Sequence, residues 1–162
     1  MLRILALLLC AATTAAAASL TAGAAPSGSF TLAGTVSYVV DGDTLDIRAA
    51  GGRSERVRLI GIDTPERGAC HAAAATREAR RLALGKPVVL RGDATQATRD
   101  RYGRLLAYVA LPGGKDLGQG LVRGGFGRVY VYGGKPFARV GAYRSAETAA
   151  RSARAGLWGA CG

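Results

Sequence analysis

The chain has 162 residues, of which 22 are Lys or Arg and 11 are Asp or Glu, giving a formal net charge of +11. This length favours one domain, because about 130 residues left after a targeting segment suffice for a hydrophobic core. The positive charge favours a polyanionic partner, since basic side chains release the counterions condensed on phosphate backbones. Charge alone does not separate nucleic acid from an anionic membrane or cell-wall polymer.

The N-terminal segment 1–25 has the features of a secretory signal peptide. Arg3 provides a positive start, residues 4–9 are strongly apolar, and Ala-rich sequence follows up to Ala25. We therefore expect a secreted, extracellular protein with no stable membrane association after cleavage. An uncleaved membrane anchor is less favoured, because the strongly apolar run is short for a span. A lipoprotein site at Cys10 fits poorly, since Leu rather than a small residue precedes it.

Five strands are predicted after a small-residue linker at 26–29, in a folded domain that covers 30–162. Alternation of apolar and polar residues predicts strands at 30–40, 44–49, 55–62, 86–91 and 104–111. The first three strands are joined by short turns, which indicates an antiparallel meander.

Three helices are predicted between and after these strands. The segment 68–85 is rich in Ala, Leu, Arg and Glu and closes at a glycine, which is typical of a helix and its C-terminal stop. A short helix is predicted at 116–126 and an amphipathic one at 136–157. This order favours an α+β fold with a small β-barrel over alternating βαβ units.

Two cysteines, Cys70 and Cys161, remain if Cys10 leaves with the signal peptide. In an exported protein such a pair predicts one disulfide, and two free thiols are the alternative. A zinc site is disfavoured, because these two cysteines and the lone His71 supply only three of the four ligands of a structural zinc site.

Six of the eleven acidic residues lie within the segment 39–66. Asp41 precedes a glycine between two strands and is expected to support a tight turn. Asp43 begins a strand, where Asp is disfavoured, and Asp63 ends one. If these two carboxylates converge, their repulsion raises at least one pKa unless a cation compensates. A hard divalent ion such as Ca²⁺, which prefers oxygen ligands, is therefore predicted between Asp43 and Asp63.

The residues next to these carboxylates have structural as well as functional interpretations. Thr64 can cap a helix, with Pro65 and Glu66 in its first turn. Arg58 shares a strand face with Arg56, and both can be solvated surface arginines. If Arg58 instead joins an arginine from the later turn at 100–104, the two guanidiniums can hold phosphate oxygens beside a metal.

Four motifs together resemble the staphylococcal nuclease family in order and spacing. They are VDGDTLDI, VRLIGIDTPE, DRYGRLLAYV and the terminal VYVYGGKP…GLW, and the resemblance extends over residues 30–158. It implies a five-stranded OB-fold barrel with three helices. It also implies a monomeric, calcium-dependent nuclease that hydrolyses DNA and RNA, preferably as single strands, and leaves 3′-phosphate and 5′-hydroxyl ends.

The resemblance assigns roles to four residues around the metal. Asp43 and Asp63 match calcium-binding carboxylates, and Thr64 matches a residue that offers its backbone carbonyl. Glu66 matches the glutamate that positions or deprotonates the attacking water. These roles are expectations that depend on the four residues meeting in one site.

The resemblance also assigns the phosphate and nucleotide contacts. Arg58 matches the arginine that binds the scissile phosphate, and Arg104 the one that stabilises charge on the transition state and leaving oxygen. The implied nucleotide-binding residues are Arg101, Tyr102, Tyr130 and Tyr132. The glycine pair 133–134 departs from the expected pattern, and core packing is the alternative for the last two tyrosines.

An alternative function is a non-catalytic OB-fold protein that binds single-stranded nucleic acid. Such a protein would use the basic surface and the tyrosines without hydrolysis. Nuclease-like domains that have lost activity usually lack one or more of the acidic and arginine positions. All five are present in this chain: Asp43, Arg58, Asp63, Glu66 and Arg104.

Overall fold

A computed structural model describes residues 28–161. The expected signal peptide at 1–25 and the first linker residues lie outside this range. Gly28, from the end of the expected linker, is buried against the backbone of residues 92–97, so the ordered fold includes residues just before Phe30. Within residues 28–161, no helix combines the length and the apolar character needed to cross a membrane.

The described residues form seven strands, of which five close into a barrel in the order β1-β2-β3-β6-β5. In chain order the strands are β1 Thr31–Val39, β2 Thr44–Ala49, β3 Ser54–Leu59, β4 Ile62–Asp63, β5 Pro87–Arg91, β6 Leu105–Ala110 and β7 Arg128–Val129. The first three pair as the predicted antiparallel meander. Parallel pairing of β3 with β6 closes the barrel, with Val57 opposite Leu105 and Leu59 opposite Ala107.

The barrel interior is filled by one face of each strand. Along β3 the odd-numbered positions, including Val57 and Leu59, are buried, whereas Arg56 is exposed and Arg58 is intermediate. This alternation follows from the period of two along a strand and places the arginines on the outer face.

The predicted third strand, 55–62, is wrong at its end, because the chain turns at Ile60 and Gly61 and then begins β4. Gly61 has a φ of 81°, and a Cβ there would overlap the ring of Phe137. Beyond the turn, Asp63 pairs with Arg128 of β7 in a separate two-stranded ladder. The turn therefore directs Asp63 away from the barrel interior.

Helices lie in all three predicted positions, and a fourth short one follows. They are α1 Ala72–Ala83, α2 Leu117–Arg123, α3 Val140–Ser152 and α4 Leu157–Ala160. The predicted last helix, 136–157, is too long, because α3 ends at Ser152. Gly156 then adopts a φ of 53°, and Leu157 donates a backbone hydrogen bond to the Gly125 carbonyl at 2.8 Å. This close backbone approach leaves no space for a side chain at Gly156.

The predicted disulfide between Cys70 and Cys161 is confirmed, with their Cα atoms 5.9 Å apart. It joins the segment before α1 to the residue after α4, so the two free thiols considered as an alternative are wrong. The described structure is thus the predicted α+β, five-stranded barrel with three principal helices.

Candidate active site

The turn between β1 and β2 places Asp43 at the base of a cleft beside the barrel. Asp41 supports this turn as expected, because its Oδ1 accepts a hydrogen bond from the Asp43 backbone N–H at 3.0 Å. Asp43 is buried, and its Oδ2 accepts hydrogen bonds from Thr64, from the backbone N–H at 2.8 Å and the hydroxyl at 3.0 Å. Asp43 therefore joins the first turn to the segment that follows β4.

Thr64 does not cap a helix, so the structural interpretation of this residue is wrong. The helix α1 begins eight positions later, at Ala72, and its N-cap residue His71 makes no side-chain capping hydrogen bond. Both donors of Thr64 instead point to Asp43, because the turn at Gly61 brings the two segments together. Thr64 thus orients a carboxylate in the cleft.

Burial raises the pKa of Asp43 to about 6, since removing a carboxylate from water disfavours its charged form. The nearby guanidinium of Arg58 opposes this shift, Asp41 adds to it, and the Thr64 donors lower it. The sequence predicted a raised pKa through repulsion from Asp63. The pKa of Asp43 is raised for a different reason, because desolvation is the main cause and Asp41 is the like charge that contributes.

Arg58 is held between the two predicted metal-binding carboxylates. Its Nε lies 3.2 Å from Asp43 Oδ1 and its Nη2 lies 3.1 Å from Asp63 Oδ1. Its Nη1 donates to the carbonyls of Leu59 at 2.9 Å and Ile62 at 2.7 Å. The side chain is 13% exposed, against 56% for Arg56, so the solvated-arginine interpretation is wrong for Arg58 and fits Arg56.

We call the side of the cleft formed by Asp41, Asp43, Arg58, Asp63 and Glu66 the acidic wall. Glu66 is exposed in the segment before α1, and its carboxylate makes no hydrogen bond or ion pair with the described residues. Its backbone carbonyl accepts a hydrogen bond from Ala69 at 2.8 Å, which forms a turn instead of the predicted first helical turn. The Glu66 side chain is thus free to contact a ligand in the cleft.

Arg104 also lines the cleft, in a loop organised by Asp100. One Asp100 oxygen accepts from the backbone N–H groups of Tyr102 and Arg104, and the other lies 2.7 Å from Arg104 Nε. These donors hold the pKa of Asp100 below its usual value despite its partial burial. Arg104 Nη1 also reaches the Thr44 hydroxyl at 3.5 Å, and that hydroxyl donates to Asp43. Asp100 was not predicted, although its position four residues before Arg104 and ahead of a glycine turn was a usable signal.

The predicted tyrosines also line the cleft and are exposed. We call the set Arg101, Tyr102, Arg104, Tyr130 and Tyr132 the aromatic wall. The guanidinium carbons of Arg101 and Arg104 lie 4.7 and 5.3 Å from the centroid of the Tyr102 ring. The rings of Tyr130 and Tyr132 are 6.4 Å apart, and Tyr132 is 65% exposed. The core-packing alternative for these two tyrosines is therefore wrong.

The two walls enclose a cleft of about 540 Å³. Nine of the predicted site residues line it: Asp43, Arg58, Asp63, Glu66, Arg101, Tyr102, Arg104, Tyr130 and Tyr132. Thr64 is buried behind the cleft, where it contacts Asp43. The cleft also includes Gln96, Arg99 and Phe137, which the sequence motifs did not indicate.

The carboxylates of the acidic wall suit a hard divalent cation by their chemistry. Within residues 28–161, no three His, Cys, Asp or Glu side chains converge closely enough to form a metal site by themselves. Asp43 and Asp63 nevertheless reach one cationic group, the Arg58 guanidinium, from two different segments, the β1–β2 turn and the end of β4. Two carboxylates supported by water or backbone oxygens are a donor set typical of Ca²⁺ or Mg²⁺.

The closed five-stranded barrel is an OB-fold of the α+β class. Its cleft is lined by both carboxylate and arginine side chains. The family model described as "Staphylococcal nuclease homologue" matches residues 56–160, and the chain belongs to the staphylococcal nuclease family. The predicted family membership is thus confirmed.

Several named proteins are similar to this chain. An "Uncharacterized endonuclease" of Escherichia coli O157:H7 is 35% identical over 126 residues, which cover 77% of this chain and 76% of that protein. "Endonuclease YncB" of Bacillus subtilis is 32% identical over 136 residues, covering 79% and 62%. The "Thermonuclease" of Staphylococcus intermedius is 37% identical over 103 residues, covering 60% and 59%. Nuclease activity is therefore the first function to test for this chain.

Proposed function

We propose that the protein is a calcium-dependent nuclease that hydrolyses phosphodiester bonds of DNA and RNA. The observation that carries the proposal is the placement of Arg58. This arginine is largely buried, contacts both Asp43 and Asp63, and lines the same cleft of about 540 Å³ as Arg104. Placing a guanidinium and two carboxylates in one partly buried site costs desolvation free energy. Such a cost is typical of a site whose preorganised charges bind and stabilise a reacting phosphate.

The two arginines are the groups that bind and stabilise the phosphate. Arg58 is oriented by the Leu59 and Ile62 carbonyls, and Arg104 is oriented by Asp100. A guanidinium held in advance needs little reorganisation when negative charge increases on the phosphate oxygens. We assign the scissile phosphate to Arg58, and the developing charge on the transition state and leaving oxygen to Arg104.

Glu66 is the residue that we assign to the attacking water. Its free carboxylate in the cleft accepts a hydrogen bond from that water and orients its oxygen towards phosphorus. The new P–O bond forms as the bond to the 5′ oxygen breaks. The attacking water gives up one proton to solvent or to Glu66, and the released 5′ oxygen takes up one proton from solvent. The products are a 3′-phosphate and a 5′-hydroxyl end.

Asp43 and Asp63, with the Thr64 carbonyl, are the residues that would hold Ca²⁺. When bound there, the ion supplies positive charge that neutralises the phosphate. Tyr102, Tyr130 and Tyr132 provide exposed rings on which unpaired bases can stack, which supports a preference for single strands.

The decisive experiment is cleavage of heat-denatured DNA by the purified protein with Ca²⁺. We expect rapid degradation that stops in excess chelator, and a loss of orders of magnitude in Glu66→Gln. Glu78→Gln is the matched control, because Glu78 pairs with Arg81 on helix α1 outside the cleft. Products that accept a 5′-label from polynucleotide kinase without prior phosphatase treatment would support 5′-hydroxyl ends. Repeating the cleavage assay with RNA tests the second substrate.

A non-catalytic single-strand binder is the competing function, because the exposed tyrosines would serve it equally well. Binding of single strands without cleavage under saturating Ca²⁺ would favour this alternative. Full cleavage in excess chelator would instead contradict the assigned role of the carboxylates.

We also propose that the protein is secreted as a monomer after removal of residues 1–25. The proposal depends on the pattern of that segment and on the disulfide, which is stable in oxidising compartments. Fractionation of producing cells should place the protein in the medium, and its mass should match a chain that begins near residue 26. Retention of the full-length chain with membranes would contradict this.

A further inference from the structure

A second groove lies on the other side of the segment that carries Asp63. It has a volume of about 300 Å³ and is bounded by Pro65, by Arg128 and by the Cys70–Cys161 disulfide. Asp63 lines both this groove and the cleft described above. A strand bound in the cleft can therefore continue over Asp63 into the groove.

Arg128 is the basic group among the residues that line the groove. It stands directly opposite Asp63 in the β4–β7 ladder, which places their Cβ atoms about 5 Å apart. The Asp63 carboxylate is nevertheless paired with Arg58, and Arg128 forms no ion pair or side-chain hydrogen bond with residues 28–161. Its positive charge is thus available beside the cleft.

Trp158 holds the guanidinium of Arg128 in place. The guanidinium carbon lies 4.6 Å from the centroid of the indole ring, a distance typical of a cation–π contact. Stacking leaves the N–H groups on the edge of a guanidinium free to donate hydrogen bonds to phosphate oxygens. Arg128 is therefore a positioned phosphate donor and differs from a freely moving surface arginine.

We propose that this groove is a second phosphate subsite, which binds a phosphodiester that neighbours the scissile one in the same strand. The proposal rests on the proposed nuclease function, because that function identifies the bound ligand as a nucleic-acid strand. Arg128 supplies the charge, Trp158 orients it, and the disulfide keeps the groove wall in place. A substrate that extends over Asp63 then gains one phosphate contact that a mononucleotide cannot make.

Arg151 offers a matched control within the same structure. Its guanidinium carbon lies 4.1 Å from the centroid of the same indole, but it does not line the groove and it pairs with Glu147 at 3.4 Å. Removal of Arg151 therefore deletes a similar contact with Trp158 and the same unit of charge. The two variants differ in whether the groove loses its cation.

The test is equilibrium binding of a fluorescent single-stranded oligothymidylate of about ten nucleotides, a length within the range of OB-fold binding sites. Anisotropy is measured in excess chelator, so that no cleavage occurs, at a series of salt concentrations. Each phosphate contact on a single strand contributes about 0.7 to the slope of log Kd against log salt. We expect Arg128→Ala to lower that slope by about 0.7, whereas Arg151→Ala leaves it unchanged.

An unchanged slope in Arg128→Ala, or an equal decrease in both variants, would overturn the subsite. If Arg128→Ala melts below the assay temperature, Arg128→Gln, which keeps most of the side-chain length, carries the same measurement. The calcium-dependent cleavage assay on the wild-type protein tests the nuclease function separately. If the variants show the expected difference in slope but the wild-type protein does not cleave, the second phosphate subsite is supported and the nuclease function is rejected.

Discussion

The two walls of the cleft differ in how firmly their side chains are held. On the acidic wall, Asp43 and Arg58 are largely buried and joined to each other and to Thr64. On the aromatic wall, Tyr102 and Tyr132 are 67% and 65% exposed, and each is followed in the sequence by a glycine. The side chains of Asp43 and Arg58 are therefore held in one position, whereas the exposed tyrosine rings can adjust to different bases.

This difference predicts different kinetic effects for the two walls. Bond making and breaking requires groups that are already oriented, so substitutions in the acidic wall should mainly lower kcat. Stacking on exposed rings contributes equally to the ground and transition states, so substitutions of the tyrosines in the aromatic wall should mainly raise KM.

Substitution Arg58→Lys should lower kcat by about 10²- to 10³-fold, the range found on removal of one transition-state donor. A lysine carries the charge, but it lacks the planar fork that contacts Asp43, Asp63 and two backbone carbonyls together. Steady-state cleavage of denatured DNA measures the effect. The matched control is Arg56→Lys on the same strand, which should retain activity because Arg56 is exposed and paired with Asp46. Equal losses in both variants would contradict a special role for Arg58.

Removal of the disulfide in Cys70→Ser/Cys161→Ser should lower the free energy of unfolding by about 2–4 kcal/mol, because the unfolded chain regains the entropy of a long loop. The bond joins residues 91 positions apart and holds the segment that carries Glu66. Urea unfolding measures the loss. We also expect kcat to fall, since Glu66 has no side-chain contact of its own with the described residues. A reductant should reproduce both effects in the wild-type protein and have none on the double variant.

Asp43 should make stability depend on pH with a sign opposite to that of a carboxylate whose pKa is lowered on folding. Its pKa is raised from 3.8 to about 6, so the folded state binds the proton more tightly than the unfolded state. The stabilisation is complete below pH 3.8 and is lost as the pH rises through about 6. Without metal, the stability of the wild type relative to Asp43→Asn should therefore fall by up to about 3 kcal/mol between pH 4 and 7.

Chemical unfolding at a series of pH values measures this difference, and Asp46→Asn is the control. Asp46 lies on the outer face of the barrel in an ion pair with Arg56. Nuclease activity should change in the other direction, because only ionised Asp43 supplies a full negative charge to a cation. A difference between wild type and Asp43→Asn that stays constant with pH would show that Asp43 does not titrate near 6.

Substitution Tyr132→Ala should raise KM by about 5- to 100-fold and leave kcat nearly unchanged, because stacking of one base contributes about 1–3 kcal/mol. Tyr132→Phe, which keeps the ring, should resemble the wild type. Tyr38→Ala is a second control, since Tyr38 is also exposed but lies outside the cleft. A large decrease in kcat for Tyr132→Ala would remove the distinction between the walls.

Local sequence patterns predicted the parts of the fold that depend on local periodicity. Alternating residues located the five barrel strands, and the Asp-Gly turn placed Asp43 in the cleft, where the site motifs also converge. The turn at Gly61 was missed, because its cause is the ring of Phe137, far away in the sequence. The end of α3 was missed for a similar reason, since the backbone of Gly125 meets Gly156 there.

The interpretation of Thr64 failed for a related physical reason. A threonine before proline and glutamate is typical of a helix start, and only the fold shows that Asp43 takes both of its hydrogen-bond donors. The burial of Asp43 also depends on contacts between distant segments, and so does the lack of an ion pair between Arg128 and the other described residues. Residue types therefore indicated the chemistry, whereas pKa shifts and partner choice required the assembled structure.

The parallel pairing of β3 with β6 determines when this chain can acquire activity during folding. Arg58 lies opposite Leu106 in that pairing, and Arg104 directly precedes β6. A chain folded only as far as α1 has its carboxylates but lacks the second arginine. Contacts between distant segments form slowly, because a long loop must close first. Recovery of nuclease activity during refolding should therefore report closure of the barrel, and no earlier folding event.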